Sequence, residues 1–306
     1  MSSRGFKMPD GRFARPTVHK LELFLKNTLP LRAPAWDVVP LPQDSPASSA
    51  RQPPDYHTRD FNPERLQGRE VTIFGAGSVG SYLAYFLAIA RLILHVIDCK
   101  KVEYKHVRDG RTIYDSSSIG LFKVEALKRK VEADRLGASI RTYPFNVAEL
   151  TMQELRVMFQ RSLLVVVAID DPEQLLRVSD LAYPIVELIQ VAMHRQALSG
   201  HVALSIPFAT PCLRCTLGID NSQDIHRLDG EPGNSLDIVN VAQHAARIAI
   251  DIMYSKVTGQ SITRWDPSKN LIYIANTQQE LSPDGPGLHY ENTLRRPECL
   301  ICNCCR

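Results

Sequence analysis

The stretch VTIFGAGSVGSYLAYFLA, from Val71 to Ala88, constrains this chain more than any other. A short apolar run with Val71, Ile73 and Phe74 meets glycines at 75, 77 and 80, and a helix-forming run is entered through Ser81. A turn this rich in glycine, set between a strand and a helix, lets backbone N–H groups come close to a phosphate, and the helix start adds partial positive charge. The spacing therefore predicts a nucleotide site at Gly75, Gly77 and Gly80. A second apolar run, Leu92 to Ile97, ends in Asp98. That acid falls where a second parallel strand would deliver a carboxylate to a ribose hydroxyl. The plainer reading, an ordinary tight turn, leaves the acid at that distance unexplained.

The turn alone would serve NAD as well as ATP. The segment after Asp98 is unusual for a dehydrogenase: Lys100, Lys101, Glu103, Lys105, His106, Arg108, Asp109 and Arg111, then SSSIGLFKVEAL. Lys123 opens a predicted helix that runs to about Leu136 with Val124, Leu127 and Val131 on one face. A cation in the first turn is disfavoured by the helix dipole, and a bound polyphosphate would offset that. Further on, Leu163 to Ile169 is fully apolar and of strand length, as central parallel strands are. It ends at Asp170 and Asp171, where carboxylates face the ligand crevice. Mg²⁺ and phosphates would sit there. Asp171-Pro172 has the plainer reading of a helix cap.

Two C-x-x-C units, Cys212/Cys215 and Cys299/Cys302, supply four thiolates. Tetrahedral Zn²⁺ takes four soft ligands, and the long span between the units makes such an ion a staple between the tail and the middle of the domain. Four thiolates leave no open position, so the predicted role is structural. Cys304 and Cys305 are alternatives to Cys302, and free thiols or disulfides are the plainer reading of the whole set.

The glycine turn, Asp98, the Ile119-Gly-x-x-Lys123-Val-Glu-Ala segment, the Ala-Ile-Asp-Asp step at 168 to 171 and the paired C-x-x-C motifs, in this order, resemble the ThiF/MoeB/HesA family of ubiquitin-activating-type adenylating enzymes. The resemblance covers about residues 55 to 306. It implies an α/β fold, a Rossmann-like and mostly parallel sheet with helices on both faces and a C-terminal zinc staple. It also implies ATP- and Mg²⁺-dependent adenylation of the C-terminal glycine of a ubiquitin-like or sulfur-carrier protein, by a homodimer or a heterodimer with a related subunit. In that pattern Lys123, an arginine and a Mg²⁺ ion on Asp170, the first acid of the 168–171 step, neutralise the phosphates. Arg111, with Arg108 as an alternative, matches the family's arginine only after a shift of register. Arg59 matches an arginine given across the dimer interface, although an exposed loop arginine explains it equally well.

The chain departs from the pattern at two places. The family's Asp-x-Asp is Asp98-Cys99-Lys100 here, and its Asn-Leu-x-Arg-Gln is His106-Val-Arg-Asp-Gly-Arg111. These changes keep a second reading open, a non-catalytic scaffold that pairs with an active relative. A third, an NAD-dependent oxidoreductase, explains neither the cysteines nor Lys123. Outside the proposed zinc ligands only Cys99, Cys304 and Cys305 remain for a thioester, and the loop 216–235 has no cysteine, so adenylation without an internal thioester is the simplest expectation.

With 306 residues, 44% of them hydrophobic and 23% charged, there is ample apolar material for one large domain plus an extension, or for two domains. A net charge of +3 is too small to argue for nucleic acid, and no run reads as membrane-spanning or as a signal-peptide core. A cytoplasmic location is the default. Residues 1–54 read as an N-terminal extension: a short amphipathic helix over Val18 to Leu29, then a linker with seven prolines between Pro30 and Pro54. Residues 55–306 read as the adenylation domain. Within it, helices are predicted at Met152 to Gln160 and Leu236 to Val257. Strands are predicted at Ile140 to Phe145, Pro184 to Ala192 and His201 to Pro207 after a Gly200 turn, and the stretch Trp265 to Ile274 ends in a further one.

Overall fold

The computed structural model describes residues 63–108, 110–219, 235–259, 268–277 and 285–303, with the backbone of one two-residue strand pair, Phe6–Lys7 and Phe13–Ala14. The amphipathic helix over 18–29, the proline-rich linker, Arg59, Asp109, most of the loop after Gly218, Cys304 and Cys305 lie outside the described residues.

One eight-stranded sheet organises the rest. Its strands are β1 (Glu70–Phe74), β2 (Ile93–Ile97), β3 (Ser139–Tyr143), β4 (Leu164–Val167), β5 (Leu188–Met193), β6 (Ser199–Ser205), β7 (Leu271–Ala275) and β8 (Gly287–Glu291). They lie in the order β8-β7-β6-β5-β4-β1-β2-β3. Pairing is parallel from β3 through β2, β1 and β4 to β5 and antiparallel from β5 through β8. The chain leaves β1 toward β2 and β3, then returns to place β4 on the other side of β1. That reversal makes the carboxyl end of β1 a topological switch point, where open α/β sheets bind ligands.

Helices cover both faces, as the alternation of apolar side chains requires. Val71 and Ile73 of β1 and Leu164 and Val166 of β4 face one core, shared with α1 (Ser78–Ala88), α3 (Lys123–Ala133) and α7 (Ser235–Thr258). Phe74, Val165 and Val167 face the other, shared with α4 (Met152–Arg161), α5 (Pro172–Ala182) and α6 (Leu213–Leu217). A short helix, α2 (Tyr104–Arg108), follows β2, and α8 (Leu300–Asn303) follows β8. No helix among the described residues is long and apolar enough to cross a membrane.

Two local expectations are corrected. The first helix begins at Ser78, not Ser81: Gly77 is its N-cap, and Ser81 N–H already donates to the Gly77 carbonyl at 2.9 Å. Gly200 is no turn but lies inside β6, paired with Met193 and Ile274. A Cβ there would stand 2.8 Å from the Ala192 carbonyl and from both γ-methyls of Val241 on α7. The glycine is a packing requirement, visible only once α7 lies against the sheet. β3, β5 and β6 also stop or start a few residues from the predicted limits, and Pro184 to Glu187 precede β5 rather than form it.

Candidate active site at the carboxyl edge of the parallel strands

The strand register fixes which residues meet. Phe74 pairs with Ile97 on one side and Val167 on the other, so the residues just past each strand emerge at one edge. Gly75 N–H donates to the Ile97 carbonyl at 2.9 Å and Ala168 N–H to the Phe74 carbonyl at 2.8 Å. The glycine turn, Asp98 and the 168–171 step are thereby neighbours.

The three glycines do different things. Gly75 has φ +97°, and a Cβ there would lie 2.4 Å from the Ala168 carbonyl oxygen. A Cβ on Gly80 would lie 2.2 Å from the Gly75 carbonyl oxygen. Both permit the turn to close on itself and on β4. At Gly77 a Cβ would meet nothing within 4 Å. The position faces open space, and α1 starts there with neither a side-chain cap nor an acid in its first turn. Its first N–H groups and the positive end of its dipole are left for an anion.

Asp98 is half-buried and clasps this turn. One carboxylate oxygen accepts from Ala76 N–H and the other from Lys100 N–H, each at 2.8 Å. Each oxygen retains a lone pair, so a ribose hydroxyl is still admissible. Tyr114, also buried, donates from its hydroxyl to the Ala76 carbonyl at 2.7 Å. Tyr82 on α1 donates to the carbonyls of Gly110 and Thr112, at 2.8 and 3.2 Å. The loop carrying half-buried Arg111 is thus fastened to α1 and to the turn, whereas Arg108 is exposed on α2.

Lys123 opens α3, as expected, and is only 4% exposed. Residues 100–102 pair with 120–123: Lys123 N–H donates to the Lys100 carbonyl at 3.0 Å, and Lys101 bridges Phe122. This ladder sets the two lysines side by side. Burial pulls the Lys123 ammonium below its ordinary range, Asp98 and Asp170 oppose that, and Lys100 adds to it. The Lys123 ammonium makes no ion pair among the described residues. His106 accepts from Glu103 N–H at 2.8 Å, and burial together with the field of Lys123 lowers it to about 4. It is neutral at pH 7.

Adjacent Asp170 and Asp171 divide their roles. Asp171 accepts from Glu173 N–H and Gln174 N–H, both at 3.1 Å, with Pro172 beginning α5. Asp170 projects outward, its side chain 72% exposed, and both its oxygens meet Lys100 Nζ at 3.0 and 2.9 Å. Burial raises the Asp170 carboxyl, but the hydrogen bonds and charge of Lys100, with the charge of Lys123, together outweigh it and the net shift is downward; Lys100 is raised in turn. The carboxylate expected to hold Mg²⁺ is therefore engaged through both oxygens by an ammonium, and in this arrangement it does not fit a divalent ion. Lys100 was visible in the sequence only as a missing acid. Its partner, 70 positions away, was not.

The four cysteines converge as expected, all buried, with their sulfurs within 4.8 Å of one another. Cys212 and Cys299 sulfurs are 3.5 Å apart and those of Cys215 and Cys302 3.6 Å. These are not disulfide distances. A tetrahedron with metal–sulfur arms of about 2.3 Å has edges of about 3.8 Å, so the cluster suits a zinc ion. Backbone N–H groups of Cys212 and Arg296 donate to the sulfurs of Cys302 and Cys215, at 3.2 and 3.3 Å. Thiolate ligands need such donors.

A family model described as the ThiF family matches residues 56–260, well over half of the chain. The chain belongs to the ThiF family. No curated protein sequence matches it. Among solved structures, E. coli MccB in complex with MccA-N7isoASN superposes with a TM-score of 0.62 at 18% identity, over 79% of this chain and 69% of that one. E. coli MccB with ATP gives 0.61 at 19% identity, over 79% and 68%. Selenomethionine PaaA gives 0.53 at 16% identity, over 75% and 74%. At these identities the superpositions establish the ThiF fold that the motif order implied.

Proposed function

We propose that the protein adenylates the C-terminal carboxylate of a polypeptide, of the ubiquitin-like or sulfur-carrier type ending in glycine, with ATP as co-substrate. The observation that carries this is one edge shared by an open glycine turn, an uncapped helix start and a buried lysine without an ion-pair partner among the described residues. That fits the phosphates of a nucleotide, and the adjacent Asp98 fits its ribose. Structures of MccB include one of the E. coli protein with ATP and one in complex with N-formylated MccA, which supports a polypeptide acceptor on this fold.

The acceptor carboxylate is already ionised at neutral pH and needs no general base. Its oxygen attacks the α-phosphorus, the bond from that phosphorus to the α,β-bridging oxygen breaks, and the products are an acyl-adenylate and pyrophosphate. This chain holds the reactants in line and neutralises charge on the phosphates, through the first N–H groups of α1 and through Lys123. Arg111 and, from a second subunit that is a copy or a relative, Arg59 are the further cations of this reading. Cys212, Cys215, Cys299 and Cys302 would hold a structural Zn²⁺ that ties the tail to the middle of the domain, with no position left open for chemistry.

ATP–pyrophosphate exchange with Gly-Gly-ending carrier proteins and short peptides tests this. Exchange should require the acceptor and fall by about a hundredfold or more in Lys123→Ala, the scale for removing one preorganised charge-stabilising donor. The Lys100–Asp170 pair favours the second reading, a scaffold subunit of the same fold. No exchange with any acceptor from a zinc-loaded, folded protein would decide for it.

A further inference from the structure

Lys100 takes the place of the second acid in the resemblance pattern, and the structure shows what the exchange achieves. Its main chain is pinned on two sides, N–H to Asp98 at 2.8 Å and carbonyl to Lys123 N–H at 3.0 Å. Its side chain leaves the end of β2 and reaches Asp170 beyond the end of β4. Those strands flank β1, so they are about 10 Å apart, and the lysine crosses the mouth of the glycine turn between them.

Two acids, Asp98 and Asp170, are matched there by two lysines, Lys100 and Lys123, before any nucleotide arrives. Mg²⁺ requires close, near-octahedral oxygen contacts and gives up its water reluctantly. To bind at Asp170 it would have to displace Lys100 and leave two or three cationic centres adjacent. An incoming triphosphate meets no such obstacle. An ammonium has three N–H donors; the two Asp170 oxygens leave one for a new acceptor, and the Lys100 side chain is 55% exposed.

We infer that Lys100 is the resident cation of this site: it occupies Asp170, keeps a divalent ion from that carboxylate, and receives the phosphates of the nucleotide together with Lys123. Nucleotide binding then needs no metal held by the protein. The inference rests on the adenylation reading, since it presupposes a nucleotide at the glycine turn.

The test is ATP binding by calorimetry to the zinc-loaded full chain, in buffer freed of other divalent ions by resin and again with Mg²⁺, for wild type, Lys100→Ala and Lys100→Arg. Wild type should differ by less than about threefold between the two buffers. Lys100→Ala should weaken about tenfold or more in metal-free buffer, the scale of one lost charge-assisted hydrogen bond, and recover with Mg²⁺. Lys100→Arg should stay close to wild type. In nucleotide-free protein, Mn²⁺ titration followed by electron paramagnetic resonance should reveal in Lys100→Ala a site that wild type and Lys100→Ala/Asp170→Asn both lack. A wild type that binds ATP only with Mg²⁺, or that carries an Asp170-dependent Mn²⁺ site, overturns the inference and leaves the adenylation reading standing. Failure of every form to bind ATP in either buffer overturns the nucleotide site itself, and the inference with it.

Discussion

The carboxyl edge of the parallel strands and the cysteine cluster both gather residues from distant parts of the chain, and they are finished in opposite ways. At the edge, Lys100 and Asp170 face solvent, and the helix start beside Gly77 is uncapped. In the cluster, four buried sulfurs face one another and receive backbone N–H groups. One arrangement keeps spare donors and can exchange what it holds. The other uses its contacts internally and suits a permanent occupant.

The strongest way to break this contrast is to open the closed region. Cys215→Ser should remove bound zinc, measured by metal analysis, and lower the melting temperature by about 10 °C or more. A closed zinc site contributes several kcal/mol, and each ~1 kcal/mol is worth roughly 2–4 °C in a domain of this size. The same substitution should leave the affinity for ATP within about twofold in the protein that stays folded.

The glycine turn separates folding from binding inside one motif. Gly80→Ala places a Cβ against the Gly75 backbone and should cost about 1–3 kcal/mol in denaturant unfolding. Gly77→Ala should change stability by less than about 0.5 kcal/mol, because its Cβ meets nothing, while weakening ATP binding. Equal stability losses in the two variants would show that the space beside Gly77 is not a ligand space.

A third test lies away from both sites. Ser199, His194, His201 and Gln190 form a buried hydrogen-bonded row, with contacts of 2.7, 2.9 and 2.7 Å. Burial lowers His194 to about 4 and, with His194 beside it, lowers His201 as well. Both histidines fold as neutral rings. Their contribution is therefore fully present above the unfolded value of about 6.5 and is lost as pH falls toward 4. Denaturant midpoints should be flat above pH 7 and fall below 6.5, less steeply in His194→Gln. A flat profile down to pH 4.5 would contradict the buried neutral pair.

The smallest effect compares neighbours. Asp171→Ala removes a helix cap and should cost about 1 kcal/mol without altering the metal dependence of ATP binding. Asp170→Ala should cost less than that, since its exposed pair with Lys100 contributes little to folding.

Much of this was legible before any coordinates. The glycine turn, the strand-end positions of Asp98 and Asp170, the helix-opening Lys123, the capping role of Asp171 and the four-cysteine cluster each announce themselves through local spacing or a demanding chemistry. The illegible part depended on elements far apart. The Lys100–Asp170 pair needs β2 and β4 to be placed on either side of β1, which no local pattern around Asp98-Cys99-Lys100 states. Gly200 looked like a turn because nothing near it in sequence reveals Val241 pressing on β6. The helix start moved from Ser81 to Ser78 because Gly77 and Gly80 belong to the helix as well as to the turn.

The distance between the two C-x-x-C units also has a consequence in time. Cys215 and Cys299 are separated by 84 positions, and at typical elongation rates of about 5–20 residues per second the second pair leaves the ribosome on the order of ten seconds after the first. During that interval the thiols of Cys212 and Cys215 lack half of their set, next to a strand, β6, whose neighbour β7 is itself still to come. Completion of this half of the molecule is therefore a late event in biosynthesis, and the nascent chain must be kept reduced until its partner cysteines arrive.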